Sequence, residues 1–385
     1  MSRINVMQPW LGEEEVTAVT EVLRSGWVAQ GPRVAEFERR FADSQQAAHA
    51  VATSSCTTAL HLALIVAGVN PGDDVVVPSF SFIATANAPT YVGARPVFAD
   101  VSPVTGNLTA ETVRAALTPW TTAVIVVDQG GVPVDLDAIR EVCDPLDIVV
   151  IEDAACGAGS TYRGRPVGAG AEIAVWSFHP RKLLTTGEGG MLTTSRGDLA
   201  ARARTLREHA MSVSAADRHA SLVSPPESYD EVGFNFRMTD LQAAVGIVQL
   251  DRLDEIVARR RELAAAYAKA ILEIDGLRAV ADPAWGTSNF QSFWVEVIST
   301  SSIHRSAAYG MDREGLLSAL AEAGISARRG IMAAHRQPAY ASEKVELPAT
   351  EHLTDNTLIL PLFHQMSDSE QARVIGVLRQ GGARR

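Results

Sequence analysis

The sequence predicts an α/β protein built on a largely parallel sheet, followed by a smaller second unit. Three observations predict it. Short β-branched runs alternate with helix-like segments through the first two hundred residues. Those runs are apolar along their whole length, as strands buried on both sheet faces must be. After residue 200 the pattern changes style, with long helices and then a new set of short elements. The 385 residues suit a large domain, placed at 1–260, and a small one at 261–385.

The elements follow in order. Residues 13–24 carry Val16, Val19, Val22 and Leu23 on one stripe and predict a helix. Residues 32–41 predict a second, since proline in the first turn loses no hydrogen bond. His49–Thr53 reads as a strand and 57–67 as a helix apolar on nearly every side. Strands are predicted at 75–78, 96–100, 123–127, 148–151, 174–178 and 191–193. Helices at 81–92, 109–116 and 136–143 separate several of them. Residues 199–209 read as a basic helix, 211–232 as a long polar surface loop, and 239–270 as one or two long helices. The second unit begins near Leu272, with a strand at 293–298, a helix at 312–323 capped by Asp312, and a last helix at 367–379.

Composition narrows the function. With 46% hydrophobic and 21% charged residues the chain can bury a sizeable core. A net charge of −11 argues against a nucleic-acid surface, which needs clustered lysine and arginine. No run reaches membrane-span length and the first residues lack a signal-peptide core, so a soluble cytoplasmic protein is expected. Cys56, Cys143 and Cys156 form no CxxC pair, which suits a reducing compartment. The nine histidines show no metal-binding spacing, and no metal is expected.

Chemistry collects after two strands. Residues 148–151 lead into Glu152 and Asp153; residues 174–178 lead into His179, Arg181 and Lys182 and the glycine-rich stretch 185–190, read as flexible. In a parallel sheet a carboxylate and a lysine would emerge at one edge. An amine able to form a Schiff base and a carboxylate able to hold a pyridinium nitrogen protonated are what pyridoxal phosphate (PLP) requires. An ordinary surface ion pair fits the same two residues. Ser54, Ser55, Cys56, Thr57 and Thr58 lie between a strand and a helix, where free amides favour phosphate; plain helix capping is the alternative. Ser177 could add a phosphate hydrogen bond, and Phe80 or Phe82 a ring against a flat heterocycle, though an aromatic there also suits the core. Gly168-Ala169-Gly170 lacks the dinucleotide spacing, and residues 187–190 are no Walker loop because their lysine comes first.

Ser177-Phe178-His179-Pro180-Arg181-Lys182 with Thr186-Gly187-Glu188-Gly189-Gly190 resembles the lysine signature of the DegT/DnrJ/StrS sugar aminotransferases, PLP enzymes of fold type I. Ser25-Gly26-Trp27, Ala84-Thr85-Ala86-Asn87, Glu152-Asp153-Ala154-Ala155 and Phe234-Asn235-Phe236-Arg237-Met238-Thr239-Asp240 are similar to further family motifs in family order. The resemblance is strong over residues 4–256 and looser beyond. It implies fold type I: a large domain with a mostly parallel mixed sheet flanked by helices, and a smaller α+β C-terminal domain.

The resemblance also implies roles. Lys182 would carry PLP as the internal aldimine and then move the substrate proton. Asp153 would pair with the ring nitrogen and Phe82 would stack on the ring. Thr57, Thr58 and Ser177 would bind phosphate, and Cys156 would stand near the phenolic oxygen, where relatives have Gln or His. Asn235 would reach the neighbouring subunit's cofactor, making a homodimer with a shared site. Cys56, where Gly or Ala is usual, and Asp128, where many members have His, are further departures. Lys182 in place of His favours transamination over sugar dehydration. The implied reaction moves an amino group from an amino acid, most often glutamate, through pyridoxamine phosphate to a keto-sugar, usually nucleotide-linked. His179, Arg181, Glu188, Arg237, Arg329 and His335 are candidate substrate contacts, as is Asn289-Phe290-Gln291-Ser292. Arg207 is a candidate anion binder, with a solvated surface role as the alternative. Two other readings stay open: an aminotransferase acting on a keto-cyclitol or other non-nucleotide ketone, and a non-catalytic regulator, which would need neither Lys182, Asp153 nor Asn235.

Overall fold

The apolar runs become strands β1 (His49–Thr53), β2 (Asp74–Pro78), β3 (Arg95–Ala99), β4 (Thr121–Val127), β5 (Val149–Asp153), the short β6 (Thr161–Tyr162) and β7 (Arg165–Pro166), β8 (Ile173–Ser177) and β9 (Gly190–Thr194). In this computed structural model, which describes residues 3–169, 171–213, 226–298 and 312–383, seven of them form one sheet. Its order is β1-β9-β8-β5-β4-β2-β3. Strands β8, β5, β4, β2 and β3 pair in parallel, whereas β9 is antiparallel to both β1 and β8. The reversal has a local cause. A parallel pairing needs a crossover, usually a helix, and the connection at 178–189 contains none.

Helices α1 (Glu13–Ser25), α2 (Pro32–Ser44), α3 (Cys56–Val66) and α4 (Ile83–Tyr91) pack around this sheet with later ones. The two-residue period of the strands divides the core. Val76, Val124 and Val126 pack with Phe37 and Trp176 on one face; Val75, Val77, Ala123 and Ile125 pack with Leu60 and Leu64 on the other. Each such buried valine or isoleucine contributes about 1.5–3 kcal/mol. The predicted elements lie within a few residues of those observed. The largest shift of use is at β5, which runs two residues further and ends on Asp153 itself. The segment 239–270 is two helices, Asp240–Asp251 and Leu253–Ile271. Of the predicted loop 211–232, residues 214–225 lie outside the described residues.

A second sheet is formed by β10 (Leu277–Ala279), β12 (Phe293–Val297), β13 (Arg328–Arg329) and β14 (Thr357–Leu360), in the order β10-β12-β14-β13 and antiparallel throughout. The remaining strand, β11 (Gly286–Thr287), pairs with β6. Helix Leu253–Ile271 runs unbroken through position 260. There Arg260, almost fully buried, donates to the carbonyls of Phe290, Gln291 and Leu362. It thereby holds two approaches to the second sheet, 290–291 and 362, on one helix. Among the described residues no helix is long and apolar enough to cross a membrane.

Candidate active site

Strands β1, β2, β4, β5 and β8 point the same way, so the residues after each gather at one edge of the sheet, where open α/β sheets bind ligands. The pairing Asp153↔Val175 between parallel β5 and β8 brings the acid and the lysine loop together. A cavity of about 410 Å³ opens there, lined by Lys182, Asp153, Cys156, Ser177, Phe82 and the first turn of α3.

Asp153 is buried at 4% exposure. Its Oδ2 accepts from Thr85 Oγ1 at 3.0 Å and its Oδ1 from the Ala155 amide at 3.2 Å. Burial raises its pKa, against the opposing pull of Thr85 and Lys182. A desolvated carboxylate of this kind gains from a cationic partner. Lys182 donates from Nζ to Cys156 Sγ at 3.1 Å. Burial opposes its ammonium, but the two cysteines and Asp153 outweigh that and raise its pKa. Cys56, whose Sγ lies 4.0 Å from Asp153 Oδ1, has its thiol pushed up by burial and by that carboxylate.

Helix α3 starts with Ser55 as N-cap, accepting from the Thr58 amide at 3.2 Å. The first turn of a helix has amides without intrahelical partners, which suits an anion. Ser55, Cys56, Thr57 and Ser177 all line the cavity. Thr58 does not: its hydroxyl is taken up by Ser55, donating to that carbonyl at 2.8 Å and accepting its amide at 3.1 Å. Strand β9 begins hard against this turn, and a Cβ on Gly190 would lie 2.4 Å from the Ser55 backbone. Phe82, the residue before α4, is 66% exposed and borders the cavity, whereas Phe80 is core. The lysine loop, expected to be flexible, is tied down: Thr185 donates to the Phe178 carbonyl and Thr186 to that of Glu188.

The candidate substrate contacts divide. His179, Arg181, Glu188, Gln291 and Ser292 line the cavity; His179 Nε2 stands 4.0 Å from Glu188 Oε1. Arg329 and His335 do not. Arg329 makes a two-pronged ion pair with Glu314 on the neighbouring helix. His335 is buried between Ser79, at 2.6 Å, and Glu351, at 3.4 Å. Arg207 is neither an anion site nor solvated: it is 4% exposed and bonds Glu38 and the Ala52 carbonyl. Asn289 is buried too, and its Nδ2 donates to the carbonyls of Cys156 and Ala158 at 2.7 Å each. Asn235 and Arg237 lie on the segment whose Phe236 carbonyl accepts from the Ser54 amide at 2.8 Å. Asn235 is exposed, and neither residue borders this chain's own cavity.

The sequence matches the DegT/DnrJ/EryC1/StrS aminotransferase family over residues 9–379. The chain belongs to that family. It is an aminotransferase with the fold type I architecture. Solved structures agree over nearly the whole length. The aminotransferase TlmJ from Streptoalloteichus hindustanus is 39% identical, with 99% of each chain covered and a TM-score of 0.89. DesI, solved in the presence of its TDP-sugar product, is 32% identical over 100% of this chain and 94% of its own, with a TM-score of 0.88. The PLP-form of Spr1654 from Streptococcus pneumoniae is 27% identical over 99% of each chain, with a TM-score of 0.89.

Sequence reasoning missed several lining residues of this aminotransferase: Val6 and Met7 from the N-terminal segment, Gln129 after β4 and Thr85 on α4; of the stretch Arg328-Arg329-Gly330, where relatives place a substrate-facing loop, it chose Arg329, whereas Arg328 lines the cavity. Thr85 is one of several polar residues in Ile83–Tyr91, and the sequence does not tell which of them is buried. Strand alternation requires Arg328 and Arg329 to face opposite ways, but does not say which faces inward.

Proposed function

We propose that this aminotransferase binds PLP and moves an amino group from an amino acid, with L-glutamate the expected donor, to a nucleotide-linked keto-sugar in the cytoplasm. The observation that carries the reading is one cavity holding an amine, a buried carboxylate and a helix N-terminus, each from a different strand end of one sheet. Those are the three groups that an aldehyde, a pyridine nitrogen and a phosphate call for. The TDP-sugar product of DesI and the PLP-form of Spr1654 support the acceptor and the cofactor.

When bound, PLP supplies an electrophilic carbonyl and an electron sink that labilises a proton on the substrate carbon. Asp153, fixed by Thr85 and the Ala155 amide, would hold the ring nitrogen's proton. The Ser55, Thr57 and Ser177 hydroxyls and the first amides of α3 would hold the phosphate, and Phe82 would lie against the ring. Lys182 Nζ, which donates to Cys156 Sγ at 3.1 Å, would be the amine that binds the cofactor and the base that takes the substrate proton. Asn235, exposed on this chain, reaches the site of a second copy, so the working unit is a homodimer. The division of the chain near residue 260 belongs to the same proposal, the second sheet walling the side of the cavity that meets substrate.

The test is the absorption spectrum of the PLP-loaded protein before and after L-glutamate. The yellow band should fall as the pyridoxamine band rises, with release of 2-oxoglutarate. Lys182→Ala should abolish the yellow lysine-bound form and lower turnover by at least about a thousandfold. A loaded protein that no amino acid alters would overturn the reading. A screen of nucleotide-linked keto-sugars against free keto-cyclitols then assigns the acceptor.

A further inference from the structure

Two guanidiniums line the cavity, and no carboxylate lies within ion-pair distance of either among the described residues. Arg181 precedes the lysine, and its carbonyl is held by Gln291 Nε2 at 3.0 Å. Arg328 comes from β13 of the second sheet, where it pairs with Ile359. Both line the same cavity as Lys182, and among the described residues neither makes an ion pair. Their neighbours show what is missing. Arg329 is neutralised by Glu314, and Arg336 by Glu351 and Asp355. The cavity's exposed acid, Glu188, has its Oε1 4.0 Å from His179 Nε2. Burial, and after it the charge of Arg181, lower the pKa of Arg328.

We propose that Arg181 and Arg328 form a clamp, one jaw on each sheet, for an anionic oxygen group of a substrate. This rests on the aminotransferase reading and deepens it by giving the substrate's charge a place. Arginine forks match carboxylate and phosphate oxygens in pairs. An anion bound between two like charges relieves their mutual repulsion. The anion has two possible sources with this chemistry: the side-chain carboxylate of a dicarboxylic donor, or the diphosphate of a nucleotide-linked acceptor. The clamp also explains why the second sheet must close over the first. Gln291 ties the two jaws' supports together, and Arg260 fixes the carbonyls on either side of it.

The experiment titrates the PLP-loaded protein with glutarate and, separately, with inorganic pyrophosphate by calorimetry. It compares wild type with Arg181→Gln, Arg328→Gln and Arg329→Gln. Each of the first two variants should bind one probe about tenfold to a hundredfold more weakly, while Arg329→Gln matches wild type. Loss confined to glutarate assigns the clamp to the donor; loss confined to pyrophosphate assigns it to the acceptor. The lysine variants at 181 and 328 should recover part of the affinity, and KM for the substrate concerned should rise with kcat changed less than about twofold. Two results overturn the clamp: neither probe binds the wild type, or the Arg329 variant weakens binding as much as the other two. A chain that never takes up PLP would instead overturn the parent reading.

Discussion

Glu152 and Asp153 follow one another on β5, and the strand's two-residue period sends them to different surroundings. Asp153 borders the cavity, while Glu152 is buried with Asp128 behind it. Asp128 Oδ1 accepts from the Val134 amide at 2.9 Å, but Asp128 Oδ2 and Glu152 Oε2 have no donor among the described residues. Burial, and for Asp128 the charge of Glu152, raise both pKa values. The native pair therefore keeps a proton that the unfolded chain would release. Its contribution is complete at low pH and is lost as pH rises from the ordinary carboxylate range near 4 through the raised values. Glu152→Gln keeps the shape and removes that titration. The unfolding free energy of wild type should fall with pH across this window more steeply than that of the variant, by about 1.4 kcal/mol per unit of pKa shift removed, as read from denaturant unfolding at several pH values. Parallel pH curves would show that Glu152 carries no such proton.

At the scale of elements, the contact of β9 with the turn before α3 leaves no room for a side chain. Gly190→Ala must push either β9 or the Ser55 backbone aside, since backbone atoms cannot swing away. The expected cost is about 1–3 kcal/mol in denaturant unfolding. PLP should also dissociate faster, because the same turn opens the helix that would take the phosphate. An unchanged dissociation rate beside lowered stability would separate the turn from phosphate binding. Elements were also what the sequence showed best. The strand runs were visible because sheets covered on both faces demand unbroken apolar residues, and Asp312 was legible as a cap because its carboxylate accepts the Gly315 amide. The reversal of β9 was not legible, since it depends on what the connection lacks. Nor was the burial of Arg207, which reads as surface charge until Glu38 and the Ala52 carbonyl are brought to it. His335 misled for a similar reason. A histidine in a polar loop looks like a substrate contact, yet its partners Ser79 and Glu351 are 256 and 16 residues away.

For the whole molecule, the proposed dimer makes a prediction that a lone chain cannot meet. Mixing Lys182→Ala with Asn235→Ala subunits should restore activity to about one site in each mixed dimer, measured after purifying the hybrid by dual tags. No recovery in a verified hybrid would count against Asn235 crossing to a second copy. The side chains proposed for the chemistry were readable as candidates because Asp153 and Ser177 end strands and Lys182 follows β8 by five residues. The far wall was not, because Arg328, Ile331, Ile359 and Leu360 arrive from a sheet formed after residue 276 and meet the first only through long-range packing. That two-sheet construction has an evolutionary consequence. In the proposed reading, the groups that hold the cofactor are encoded in the first stretch of the gene and one wall of the cavity in the later one. Drift in the later stretch can retarget the catalyst while leaving its reactive centre untouched, so one scaffold can give rise to a lineage of catalysts with the same chemistry and different clientele.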